Sequence, residues 1–71
     1  MDLKKIFGER LAEEMKYSKL SYTQLAQKLN LTKSMVSMYK HGKALPSLEV
    51  FKQICDILDV SADYMLGLTD E

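Results

Sequence analysis

Five times along the chain, a serine, threonine or aspartate stands directly before a stretch whose apolar residues recur at helical spacing. These residues are Asp2, Ser21, Thr32, Ser47 and Ser61. A side-chain oxygen in that position accepts a hydrogen bond from an N–H group that a helix leaves unpaired at its start. Five such starts in 71 residues allow only short helices joined by a few residues. The chain 1–71 is therefore expected to form one all-α domain of five helices around one core. The expected helices run from about Leu3 to Tyr17, Tyr22 to Leu29, Lys33 to His41, Leu48 to Leu58 and Ala62 to Leu66. Asn30, Gly42 and Gly67 follow three of them and suit the left-handed backbone that closes helices. Ser21 and Gln24 have the spacing of a capping box.

The candidate core follows from the same spacing. Leu3, Ile6, Phe7, Leu11 and Met15 form one stripe of the first helix. Leu25, Ala26 and Leu29 face inward from the second, and Val36 and Tyr39 from the third. Leu48, Phe51, Ile54, Cys55 and Leu58 do so from the fourth. Gly8, inside the first helix, costs about 1 kcal/mol against alanine and marks a close approach by another helix.

Several function classes are excluded early. No apolar run approaches the roughly 18 residues of a membrane span. The opening MDLKKIFGERLAEE becomes charged again too soon for a signal peptide, so the cytoplasm is the expected compartment. One cysteine and one histidine cannot supply the about four ligands of a zinc site, so no metal or other cofactor is expected. Cys55 reads as a small buried hydrophobe, and His41 as a helix-end residue. No nucleophile–base–orienter set and no phosphate-binding glycine loop is present, so an enzyme is not expected.

Net charge is zero, but its distribution is uneven. Between Met15 and Leu48 there is no Asp or Glu, while Lys16, Lys19, Lys28, Lys33, Lys40, Lys43 and His41 all lie there. All ten acidic residues fall outside that stretch. Such segregation is what a phosphate-facing surface requires. The expected third helix agrees with it. With about 100° per residue, Val36 and Tyr39 define its buried side, and Ser34 points nearly opposite, flanked by Ser37, Met38 and His41.

Short pieces of sequence now add up. They are L-S-x-x-x-L-A-x-K-L, T-x-S-x-V-S-x-Y, G-K-x-x-P-S-L and V-S-x-D-Y-M-L-G, preceded by I-F-G-E-R-L. In residue types and spacing the chain resembles the phage repressor and Cro-like, or XRE-like, helix-turn-helix family over nearly its whole length. The resemblance implies a lambda-repressor-like domain that binds double-stranded operator DNA and regulates transcription, as a repressor. Helix two would cross the backbone and helix three would enter the major groove. It implies base contacts from Lys33, Ser34, Ser37 and Met38, and phosphate contacts from Ser21, Tyr22, Thr32 and Lys43. It further implies a homodimer on two half-sites about 34 Å apart. Ala62, Tyr64 and Met65 would then supply the dimer contact.

Three positions depart from the family pattern. Tyr22 stands where Gln is usual, and its hydroxyl would take over the phosphate contact. Met38 stands where Arg or Gln is frequent. Met15 and Lys40 replace an Arg–Glu pair together, leaving no lone buried charge, and Lys40 is expected to reach toward phosphate. The competing reading is a protein-interaction module, an antirepressor or adaptor, that docks a protein partner through Met35 and Met38.

Overall fold

The computed structural model describes residues 2–70. Its elements are α1 (Leu3–Ser18), α2 (Tyr22–Leu29), α3 (Lys33–Lys40), α4 (Leu48–Leu58) and α5 (Ala62–Met65), with no strand among the described residues. All five expected caps are formed. Asp2, Ser21, Thr32, Ser47 and Ser61 accept from the backbone N–H groups of Lys5, Gln24, Met35, Val50 and Tyr64. The capping box closes as well, because the Ser21 N–H donates to Gln24 Oε1 at 2.9 Å.

All five helices end in the same way. Lys19, Asn30, Gly42, Asp59 and Gly67 have positive φ. The N–H of the next residue returns to a carbonyl five positions back: Leu20 to Met15, Leu31 to Ala26, Lys43 to Met38, Val60 to Cys55 and Leu68 to Asp63. This closure satisfies carbonyls that a helix end leaves free, and the residue after the turn is commonly apolar. Leucine or valine stands there four times and Lys43 only at the end of α3. His41 and Leu66 fall just outside α3 and α5, as their C-caps.

Asp59 closes α4 with φ 55°, a conformation that Gly adopts without strain, and sets a carboxylate beside the negative end of the helix dipole. Asp59→Gly is expected to stabilise the fold by about 1 kcal/mol, raising the melting temperature by about 5 °C in a circular-dichroism melt.

The core contains Phe7, Leu11 and Met15 of α1, Leu25, Ala26 and Leu29 of α2, and Val36 and Tyr39 of α3. Ile54 and Leu58 of α4 and Met65 of α5 complete it. Phe7 packs edge-on against Tyr39 and tilted against Phe51, with centroids 6.4 and 5.8 Å apart. Cys55 is half-buried against this core, and burial, then the charge of Asp56, pushes its thiol pKa up.

Two expectations change, one for a core residue (Leu48) and one for a dimer contact (Met65). Leu48 is 85% exposed, because as the first residue of α4 it lies beyond the edge of the core that Phe51, Ile54 and Leu58 reach. Met65 is 0% exposed: it fills the protomer's own core and has no surface to give a second copy.

Gly8 is buried where α1 meets the end of α3. A Cβ built on it would lie 2.7 Å from the Lys40 carbonyl oxygen and 2.8 Å from that of Tyr39. The absent side chain therefore sets how closely α3 seats on α1. Arg10, two residues further on, ties α1 to the C-terminal segment. Its guanidinium donates to the Tyr64 and Thr69 carbonyls, pairs with Asp70 at 3.5 Å, and lies 4.4 Å from the Tyr64 ring centroid.

Candidate nucleic-acid interface

α2 and α3, joined by Asn30, Leu31 and Thr32, pack with Leu25, Ala26, Leu29, Val36 and Tyr39 inward. What remains outside is the surface expected to read DNA. Lys33, Ser34, Ser37 and Met38 line one shallow groove of about 540 Å³ together with Tyr22 of α2. Lys33 and Ser34 are exposed, Ser37 is half-buried, and Met38 is 41% exposed. All four expected base-contact residues are thus gathered on one face. Ser21 and Thr32 sit at the starts of α2 and α3, and Lys43 is exposed just after α3.

The hydrogen bonds of these residues define what each can still offer. Ser21 and Thr32 use their hydroxyl oxygens as acceptors in the caps, which leaves each O–H free to donate outward. The first N–H groups of α2 have no intrahelical partner, so this helix start attracts an anion. His41 Nδ1 lies 2.8 Å from the Ser37 carbonyl and 3.3 Å from its hydroxyl. A carbonyl only accepts, so the hydrogen sits on Nδ1 and Nε2 is left for other contacts. The Lys43 N–H is held at 2.9 Å by the Met38 carbonyl, which fixes the backbone from which its side chain projects.

Lys40 departs from the sequence expectation, and the Tyr22 ring is what holds it. The Lys40 ammonium lies 4.9 Å from the centroid of the Tyr22 ring, so Lys40 braces α3 on α2 instead of extending freely. Met15 and Lys40 border a common groove with Tyr22, consistent with an exchange of an ion pair for apolar and cation–π contact. Charge sequence alone cannot reveal such a contact, because Tyr22 and Lys40 meet only after α2 and α3 pack.

The helix starts carry the electrostatic signature most clearly. α4 and α5 have Glu49 and Asp63 in their first turns, the arrangement that the helix dipole favours. α1 also lacks an acid in its first turn but carries Asp2 as its cap, whereas α2 and α3 have no acidic residue at either place, and α3 begins with Lys33. They forgo a small stabilisation at the two ends that would face phosphate. Among the described residues, Lys16, Lys19, Lys28, Lys33 and Lys43 form no salt bridge. The acidic residues are not fully segregated in space: Glu13 borders the groove of Ser21, Tyr22 and Lys40, and Asp2 and Glu9 border one with Lys40 and His41. Glu13, Glu14 and Asp59 border a groove with Tyr17 and Tyr64. Burial, then Glu13 and Glu14, pushes the Tyr64 phenol pKa up.

The helix-turn-helix family profile matches residues 9–65. The chain belongs to the helix-turn-helix family. It is 36% identical over 66 residues to YobD of Bacillus subtilis (strain 168), an uncharacterized HTH-type transcriptional regulator, covering 93% of this chain and 59% of that one. It is 32% identical over 65 residues to the cryptic phage CTXphi transcriptional repressor RstR of Vibrio cholerae, covering 89% and 58%. It is 34% identical over 61 residues to the SPbeta prophage-derived uncharacterized HTH-type regulator YonR of B. subtilis (strain 168), covering 86% and 56%. The chain spans little more than half the length of these curated relatives. No solved structure matches it significantly. No helix of the described residues is long and apolar enough to cross a membrane.

Of the dimer contacts expected near α5, Ala62 is exposed and Tyr64 is half-buried under Arg10. Of the three, only Met65 is withdrawn into the core.

Proposed function

We infer that this chain is a sequence-specific double-stranded DNA-binding transcription regulator, acting as a repressor in the cytoplasm. The observation that carries the reading is the groove of Lys33, Ser34, Ser37, Met38 and Tyr22 on a surface whose helix starts hold no acid. α3 lies in the major groove and α2 across the backbone. Lys33 donates to guanine O6 or N7, the serines donate or accept, and Met38 packs on a thymine methyl. Ser21, Tyr22, Thr32 and Lys43 hold phosphates and set the docking angle. Similarity to RstR, a phage transcriptional repressor, supports repression over activation. Two copies bind two half-sites about 34 Å apart, so that the operator is palindromic.

The test is selection of bound duplexes from a random library, followed by titration of the enriched sequence. A palindromic motif bound at about 10⁻⁸ M or tighter is expected. Lys33→Ala is expected to relax choice at one base pair per half-site and cost about 1–3 kcal/mol. No enriched motif, with binding no tighter than about 10⁻⁵ M to any duplex, would remove the operator-binding reading.

A further inference from the structure

We propose that His41 is a further DNA contact, a phosphate ligand that engages only when its ring is protonated. The contact presupposes the DNA-binding surface proposed above. Lys33, Ser37 and His41 are spaced by four residues, so they form one row along the outer side of α3. Lys33 and Ser37 line the groove assigned to the bases. A recognition helix sets its first turns against base edges, and its far end meets the strand backbone. His41 caps that far end, is exposed, and stands two residues before Lys43. It is therefore at the level of the phosphates.

The bond to Ser37 decides what the ring can offer there. The Ser37 carbonyl accepts from the His41 backbone N–H at 3.0 Å and faces Nδ1 of the ring at 2.8 Å. A lone pair on Nδ1 would meet the lone pairs of that oxygen, so the neutral ring carries its hydrogen on Nδ1. Nε2, across the ring, then holds a bare lone pair. A ring with free choice would donate to a phosphate through Nε2–H while still neutral. Here that would cost the bond to Ser37, and the ring as held presents a lone pair to an anion and repels it. Protonation keeps the Nδ1 bond and adds an Nε2–H donor with a positive charge. It also places a cation at the C-terminal end of α3, where the helix dipole favours one. Binding to DNA thus takes up a proton.

The charges around the ring leave this role open. His41 borders a shallow groove with Asp2, Lys5 and Glu9 from the side of α1, and with Lys40 and Gly42 from its own. Two carboxylates there stand against two ammonium groups, and among the described residues His41 forms no salt bridge. The Asp2 carboxylate is engaged by the Lys5 N–H. A phosphate is then the charge that the complex adds. The chain has no other histidine, and imidazole is the side chain that ordinarily changes charge between about pH 5 and 8. The complex holds the proton more tightly than the free chain does. Affinity is therefore highest at low pH and falls as pH rises.

Fluorescence anisotropy on the selected duplex at about pH 6 and about pH 8 tests the contact. The native chain is expected to bind about tenfold more tightly per copy at the lower pH, the scale of one charge-assisted hydrogen bond. Its salt slope should steepen there by about 0.9 per copy, because one more phosphate is neutralised. His41→Asn, which has no titrating ring, is expected to melt like the native chain and to lose both differences. In the free chain at about pH 8, the nitrogen NMR shifts of the ring should place its hydrogen on Nδ1. A neutral ring protonated on Nε2, equal affinity at the two pH values, or a pH dependence that survives His41→Asn would each overturn the contact and leave the operator reading standing. Melting that shifts with pH through His41 while affinity stays flat would assign the proton to Asp2 or Glu9, and would overturn it as well. A chain that enriches no duplex would remove both readings.

Discussion

Gly8→Ala is expected to remove about 2–3 kcal/mol of folding stability and to lower the melting temperature by about 10–20 °C. Two effects compete. Alanine is the better helix former by about 1 kcal/mol, and α1 would gain that at this position. Against it stands a methyl group 2.7 and 2.8 Å from two carbonyl oxygens of α3. Backbone oxygens cannot rotate aside as a flexible side chain does, so α3 has to move bodily from α1. That movement opens the contact of Phe7 with Tyr39, and the clash wins. For a domain whose total stability is a few kcal/mol, the loss is most of it. Urea unfolding followed by circular dichroism measures the change. A variant as stable as the native chain would show that α1 and α3 can separate at no cost. Because the displaced element carries Lys33, Ser34, Ser37 and Met38, DNA affinity should fall even under conditions where the variant is folded.

The second large effect is on binding and comes from salt. Lys16, Lys19, Lys28, Lys33 and Lys43 form no salt bridge, and Lys40 rests on an aromatic ring instead of a carboxylate. If the five lysines without a partner neutralise phosphates, the logarithm of affinity falls against the logarithm of salt with a slope of about −4.5 per copy. Raising salt from about 50 to about 200 mM then weakens each half-site about 500-fold. Lys43→Ala should weaken all sequences alike and reduce the slope by about 0.9, unlike the base-selective change expected for Lys33→Ala. Fluorescence anisotropy on the selected duplex at several salt concentrations reads the slope. A flat response would mean that the acid-free stretch is not the phosphate face.

The starts of the helices were legible because a cap depends on one residue and its next three neighbours. Ser21 with Gln24, and Thr32 with the N–H of Met35, needed nothing distant. Two of the stops were not. Lys19 and Asp59 take the left-handed conformation although neither residue type calls for it as Gly or Asn does. The outward row of α3 was readable from its buried side, since Val36 and Tyr39 fix where Ser34 points. What escaped were contacts between residues far apart in the chain. Arg10 finds Tyr64 and Thr69 only when α5 packs on α1, and Lys40 finds Tyr22 only when α3 packs on α2. Periodicity also misled at the ends of elements. Leu48 lies about 120° around α4 from Ile54, at the margin of a stripe where burial depends on a neighbouring helix. Met65 belongs to a single turn, too short for a period to show which way it faces.

The bare backbone contact at Gly8 has one more consequence. The end of α3 nearest α1 is seated through its own main-chain atoms, and its inward side chains are Val36 and Tyr39. The side chains that line the outer groove take no part in that seat. Mutations at Lys33, Ser34 and Met38 can therefore accumulate at little cost to folding, while the scaffold keeps presenting them at the same height and angle. A lineage built this way can drift from one target sequence to another by successive single substitutions, each intermediate still folded. Recognition evolves here separately from stability.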